Sequence, residues 1–184
     1  MRIIAGQRRG MVLASFDSEN IRPTKDIVKE FIFNCLATRV DISACSTCDL
    51  FAGTGALGIE ALSRGAPEVT FVDLDKGAID LINKNLTKAR LPGSSTVVQQ
   101  DVFHFLKSCT SAFDLVLADP PYGEKRMDLL LTRLEGYVKG GGIAVIEGPS
   151  DEPLTLSSSS WTLIKRRAWG ESMVTIAERS VYQS

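Results

Sequence analysis

Much of what would assign this chain quickly is scarce or missing. Its 184 residues include a single histidine, His104, and only four cysteines. Four cysteines are too few for a disulfide scaffold in a chain of this length, which points to a reduced, cytoplasmic protein. Cys45 and Cys48 have the spacing of a redox or zinc pair, but no second such pair and no nearby histidine completes four ligands. No metal is therefore expected, and the two read as small apolar residues leading into a strand. No stretch approaches the roughly 18 uninterrupted apolar residues of a membrane helix. The N-terminal run Met1 to Gly10 carries Arg2, Arg8 and Arg9 where a secretory signal needs an apolar core, so export is not expected. A dominant charge is also missing. Lys and Arg number 21 against 22 Asp and Glu, a net charge of −1, so the chain lacks the overall basic excess of many nucleic-acid binders.

What remains is 44% hydrophobic and 23% charged, the balance of one soluble folded unit. Residues 1–20 read as a β-hairpin, with Arg2 to Ala5 and Met11 to Leu13 joined by a turn from Gly6 to Gly10. A helix is expected just after Arg22-Pro23-Thr24, with Thr24 as its N-cap. Its apolar face would be Ile27, Val28, Phe31, Ile32, Cys35 and Leu36. From about residue 46, short apolar strands alternate with helices: Thr47–Phe51, Val69–Val72, Thr96–Val98, Phe113–Ala118 and Gly142–Ile146. That alternation predicts a parallel sheet covered on both faces. The tail breaks it, because 161–169 and 172–179 read as an antiparallel pair after a polar turn from Ser157 to Ser160.

Two motifs carry chemistry. Gly53-Thr54-Gly55-Ala56-Leu57-Gly58 lies between a strand and a helix and fits the dinucleotide fingerprint, with Asp73 about twenty residues on. A nicotinamide or flavin enzyme is one reading, and a glycine turn needed only for packing is another. Asp49, four residues before the first glycine, favours a third. A carboxylate there repels a pyrophosphate but suits a ligand with an ammonium and a sulfonium group, which S-adenosylmethionine has. The second motif, Asp119-Pro120-Pro121-Tyr122, follows the fourth strand, at the edge where open α/β sheets bind ligands. Two prolines make a rigid turn and leave a row of acceptors, the Asp119 carboxylate and the Pro120 carbonyl, beside an aromatic ring. The acceptors would take the N–H bonds of an exocyclic amino group and aim its lone pair at an electrophile, while Tyr122 stacks on the ring.

Taken together, Asp49 to Gly55, Asp73, Asp101 and Asp119 to Tyr122 resemble the successive motifs of class I, Rossmann-like S-adenosylmethionine-dependent methyltransferases. Met1-Arg2-Ile3-Ile4-Ala5-Gly6, the run Arg22 to Asn34, the run Leu57 to Ala66, and Trp169-Gly170-Glu171 narrow the resemblance to the RsmD family of bacterial 16S rRNA guanine-N2 methyltransferases. The resemblance implies a seven-stranded mixed sheet whose last strand is antiparallel. It also implies a 1–44 extension that contacts RNA and acts as a lid, and a 45–184 methyltransferase domain. S-adenosyl-L-methionine would be held by Asp49, Phe51, Gly53, Thr54 and Gly55. Asp73 would bind the ribose, with Asp75 as a nearby alternative, and Leu74 would lie against adenine. Asp101 would take the adenine amino group, with Val102 beside it, and Arg22 and Thr24 would close over the methionine end or the target base. Asp119, Pro120, Pro121 and Tyr122 would be the catalytic set.

The implied partner is small-subunit rRNA or an assembling 30S particle, with no membrane involved and a monomer expected. Divided along the chain, the near-zero charge becomes uneven: residues 1–44 carry 7 basic and 5 acidic groups, 45–150 carry 10 and 13, and 151–184 carry 4 and 4. Arg2, Arg8 and Arg9 near one end, and Lys165, Arg166 and Arg167 near the other, are the candidate phosphate contacts. Other amino methylations (adenine N6 in nucleic acid, glutamine N5 in protein) and a non-catalytic RNA-binding assembly factor are the competing readings.

Overall fold

Runs of β-branched and apolar residues too short for helices form the sheet, and the amphipathic segments between them cover it. The computed structural model describes residues 1–16, 23–121, 126–151, 154–156 and 159–181. Its strands are β1 (Ser46–Leu50), β2 (Glu68–Asp73), β3 (Ser95–Gln99), β4 (Phe113–Ala118), β5 (Val138–Pro149), β6 (Trp161–Trp169) and β7 (Ser172–Arg179). Its helices are α1 (Pro23–Leu36), α2 (Ala56–Ser63), α3 (Lys76–Ala89), α4 (Val102–Ser108) and α5 (Arg126–Leu134). The strands form one sheet in the order β3-β2-β1-β4-β5-β7-β6. The first five are parallel, and β7 runs antiparallel to both β5 and β6. The sheet and its antiparallel strand are as expected from the sequence. Among the described residues no helix is long and apolar enough to cross a membrane.

Helices α1, α2 and α3 pack on one face, through Ile32, Phe33, Ile59, Ile82 and Leu86 against Phe71, Leu115, Leu117 and Val145. Helices α4 and α5 cover the other, through Val102, Leu106, Leu130 and Leu134 against Leu50, Val72, Val116 and Ile146. Cys45 belongs to the first layer and Cys48 to the second. Burial raises the pKa of both thiols.

Gly58 sets how closely α2 lies on the sheet. A Cβ there would sit 2.3 Å from the ring of Phe71 and 2.9 Å from Val69. Gly58→Ala is expected to lift α2 and destabilise the protein by about 1–3 kcal/mol, read as a lower urea midpoint at unchanged slope.

The N-terminal segment departs from the expected hairpin in detail. Ile3 N–H bonds Met11 O at 2.9 Å and Leu13 N–H bonds Met1 O at 2.9 Å, but only the Arg2–Val12 pair forms a β-bridge. The arms stop pairing because the N–H groups of Ile4 and Ala5 donate instead to the Glu60 carboxylate of α2, at 2.8 and 3.0 Å. Helix α1 also differs. It starts at Pro23, a residue suited to the first helical position, so Thr24 lies inside the helix rather than capping it. Its buried face is rotated too: Phe33 is in the core while Ile27 is 53% exposed. The cause is Lys29, a buried cation on that face whose ammonium lies 3.4 Å from Glu60 and 2.5 Å from the Arg2 carbonyl. Burial lowers the Lys29 pKa against the attraction of Glu60 and Asp26. Strand β5 begins four residues earlier than the apolar run, at Val138, which pairs with Phe113 before a register shift. Residues 157 and 158 of the serine turn lie outside the described residues.

Candidate active site at the carboxyl edge of the sheet

Strand parity decides which side chains meet. Asp49 pairs in register with Leu117, and both point to the α1–α3 face. Ala118 pairs with Ile146 and both point to the opposite face. The next residues, Asp119 and Glu147, therefore turn back towards α1 at the same height as one another. There they line one cavity with Asp49, Phe51, Ala52, Gly53 and Thr54 from the β1 loop and Lys25, Val28 and Lys29 from α1.

The β1 loop is shaped by residues with positive φ: Phe51 at 55°, Gly53 at 54° and Gly55 at 75°, the last being the N-cap of α2. The Gly53 N–H donates to Asp73 at 2.8 Å, and the Asp75 N–H donates to the other Asp73 oxygen at 2.9 Å, so Asp73 ties the ends of β1 and β2 together. No heavy atom lies close to where a Gly53 side chain would begin, which leaves its backbone open to a ligand. Asn85 of α3 fixes the loop from behind by donating to Thr54 O at 2.9 Å and Ala14 O at 3.1 Å.

Asp49 is fully buried and accepts the Gly58 N–H at 2.8 Å. Burial pushes its pKa up to about 8, with the Asp119 and Asp73 charges adding to the rise and the Gly58 bond opposing it. At neutral pH the carboxyl is therefore mostly protonated, and a cation beside it would draw the proton off. Asp119 is half-buried, with its carboxylate 3.8 Å from the Lys25 ammonium. Burial and then the Glu147 charge raise its pKa to about 6, while Lys25 pulls it down. Carbon-13 NMR of the Asp119 carboxyl is expected to show a midpoint near 6, moving to higher pH in Lys25→Met, where the lowering charge is gone. An unmoved midpoint would show that Lys25 does not act on Asp119.

The sequence-derived residues divide into groups. Asp49, Phe51, Gly53, Thr54 and Asp119 share the cavity. Asp73, Leu74, Asp101 and Val102 do not line it and lie at the neighbouring ends of β2 and β3. Leu74 is 65% exposed and Val102 is buried. Phe51 meets Phe103 edge-on at 6.4 Å. Asp101 caps α4 by accepting the His104 N–H at 3.0 Å, and Asp75 caps α3 by accepting the Ala78 N–H at 2.8 Å. Pro120 is buried and Pro121 exposed. Arg22 and Tyr122 lie outside the described residues, and Thr24 is described in its backbone alone.

The basic residues are dispersed. The Arg8 guanidinium donates to Ala89 O at 2.6 Å, and Arg2 pairs with Asp26 at 3.4 Å. Arg166 bonds Thr175 at 3.2 Å and Leu154 O at 2.5 Å. Arg9, Lys165 and Arg167 are exposed. Arg167 lies over the rings of Trp169, at 4.9 Å, and Phe31, at 5.5 Å.

Sequence reasoning missed Lys25, Lys29, Glu60, Asn85 and Glu147. Glu60 had a signal, being the one charged residue of helix Ala56–Ser63. Asn85 had one too, on the buried stripe with Ile82, Leu86 and Ala89.

The strand order, the glycine loop after β1 and the acceptor turn after β4 together define a Rossmann-like methyltransferase fold. The sequence profile described as "Conserved hypothetical protein 95" matches residues 1–178. The curated "Ribosomal RNA small subunit methyltransferase D" of Haemophilus influenzae is 38% identical over 177 residues, covering 92% of this chain and 89% of that one. A solved structure described as "Putative methyltransferase yhhF from Escherichia coli" superposes with a TM-score of 0.88 at 30% identity, over 99% of each chain. A more distant one, "SMU.776, a putative methyltransferase complexed with SAH", shares the fold with a TM-score of 0.71 at 17% identity, over 86% of this chain and 50% of that one. The chain belongs to the Conserved hypothetical protein 95 family, the RsmD family.

Proposed function

We propose that this protein is an S-adenosylmethionine-dependent rRNA methyltransferase acting on the exocyclic N2 of a guanine in small-subunit rRNA. The observation that carries the reading is the meeting of two features in one cavity: a buried carboxyl beside an open glycine loop, and a second carboxyl at the acceptor turn. The residues fit the cofactor. Asp49 is a buried anion-former facing the place where an ammonium or sulfonium would lie, and Gly53 leaves backbone room beside it. Phe51, Thr54 and Gly55 would complete that cradle. Asp73, Leu74, Asp101 and Val102 would hold the adenosine part at the ends of β2 and β3.

When bound, S-adenosylmethionine supplies a sulfonium methyl as electrophile, and its transfer to an amino nitrogen releases one proton. Asp119 and the Pro120 carbonyl would accept the amino hydrogens and orient the nitrogen lone pair. Asp119 accepts most strongly when ionised, so its pKa, raised to about 6, puts an acid limb on activity in that range. Pro121 and Tyr122 would support and stack on the base. RNA would be held by exposed Arg9, Lys165 and Arg167, with Arg2 joining when it leaves Asp26, while Arg8 and Arg166 are bonded to the fold. The site of action would be the cytoplasm, where ribosomes assemble.

Labelled S-adenosylmethionine offered with small-subunit rRNA, assembled subunits, DNA and protein as competing acceptors tests this reading. Label is expected in rRNA, free or assembled. Label confined to DNA or protein would refute it.

A further inference from the structure

The pocket contains more acceptors than amino methylation alone requires. The Asp119 carboxylate and the Pro120 carbonyl suffice for an amino group on any base. Yet Glu147 stands beside Asp119 on the adjacent strand, both turned to the same face and both lining the same cavity. Two carboxylates side by side repel one another, and a ligand edge with two adjacent donors relieves that repulsion.

The bases differ at this edge. Guanine presents the N2 amino group, then the N1–H donor, then the O6 acceptor. Adenine and cytosine place a bare ring-nitrogen lone pair beside the amino group. We propose that Glu147 is a specificity residue that accepts the N1–H of the target guanine while Asp119 holds its amino group, so that adenine and cytosine are refused at N1 or N3. Lys25, whose ammonium lies 3.8 Å from Asp119 at the same cavity, supplies a cation of the kind O6 would accept from. The inference rests on guanine-N2 methylation as proposed above and adds how the base is chosen.

The test uses an rRNA substrate whose target guanine is replaced by 2-aminopurine. That base keeps the amino group but has a lone pair at N1 and no O6. Wild-type kcat/KM is expected to fall by about 10- to 100-fold or more on this substrate, which loses the contacts at both N1 and O6. In Glu147→Gln the amide can donate to N1, so the guanine to 2-aminopurine ratio should shrink clearly, leaving only the part due to the missing O6. Each ratio is taken within one enzyme, so partial loss of folded protein cancels. Equal use of the two bases by the wild type would overturn the proposal without recourse to the variant, and so would an unchanged ratio in Glu147→Gln. If the wild type methylates no guanine N2 in rRNA, the function proposed above fails instead, which is a separate result.

Discussion

Replacing Asp119 with Ala should lower single-turnover methyl transfer by about 10²–10³-fold, as removal of one preorganised polar group from a reacting centre does. Affinity for S-adenosylmethionine, measured by calorimetry, should change little. The two effects separate because Asp119 sits on β4, beyond the glycine loop, and bonds no residue of that loop through its carboxylate among the described contacts. Folding should tolerate the change, since Asp119 carries a raised pKa and faces Glu147, so removing it relieves repulsion. Turnover near the wild-type level would remove Asp119 from the chemistry. Loss of cofactor binding in step with turnover would move it into the cofactor site.

The second large effect has opposite signs for stability and binding. Asp49→Asn should raise the thermal midpoint at pH 7.5 by about 5–10 °C while weakening S-adenosylmethionine binding by about 10- to 100-fold, the cost of a lost charge-assisted bond. The sign follows from its pKa of about 8 in the folded protein against an ordinary value of 3.8. Folding binds a proton to Asp49 throughout that interval, so its contribution to stability is greatest below pH 4 and declines as pH rises through 8. Asn carries no such dependence and keeps an oxygen for the Gly58 N–H. The same logic predicts that wild-type cofactor affinity rises with pH up to about 8 and that the variant is flat. A variant less stable than the wild type would show that the buried carboxyl is not strained.

The sheet was legible because its central strands are short apolar runs buried on both faces, and Phe113–Ala118 matches β4 residue for residue. The start of β5 was hidden by Gly140, Gly141 and Gly142, which carry no apolar pattern. The rotation of α1 was hidden for a different reason. Periodicity assumes that charge points outwards, and Lys29 points inwards to meet Glu60, 31 positions away along the chain. The site divides in the same way. Asp49, the glycines and Asp119-Pro120-Pro121 sit in local motifs that can be picked out along the chain, but Lys25 and Glu147 belong to the pocket only through helix packing and strand register. The basic clusters also looked more uniform in sequence than in space. Alternation along β6 puts Lys165 and Arg167 on one face and Arg166 on the other, and Arg8 is committed to the end of α3.

The central claim is that one pocket aims a guanine amino nitrogen at the cofactor. Nucleoside mass spectrometry of small-subunit rRNA, methylated by the purified protein with isotopically labelled S-adenosylmethionine, tests it most directly. The account predicts labelled N2-methylguanosine at a defined position, formed about 10²–10³-fold more slowly when Asp119→Ala replaces the wild type. Labelled N6-methyladenosine in its place, or no labelled nucleoside in either free or assembled rRNA, would contradict it.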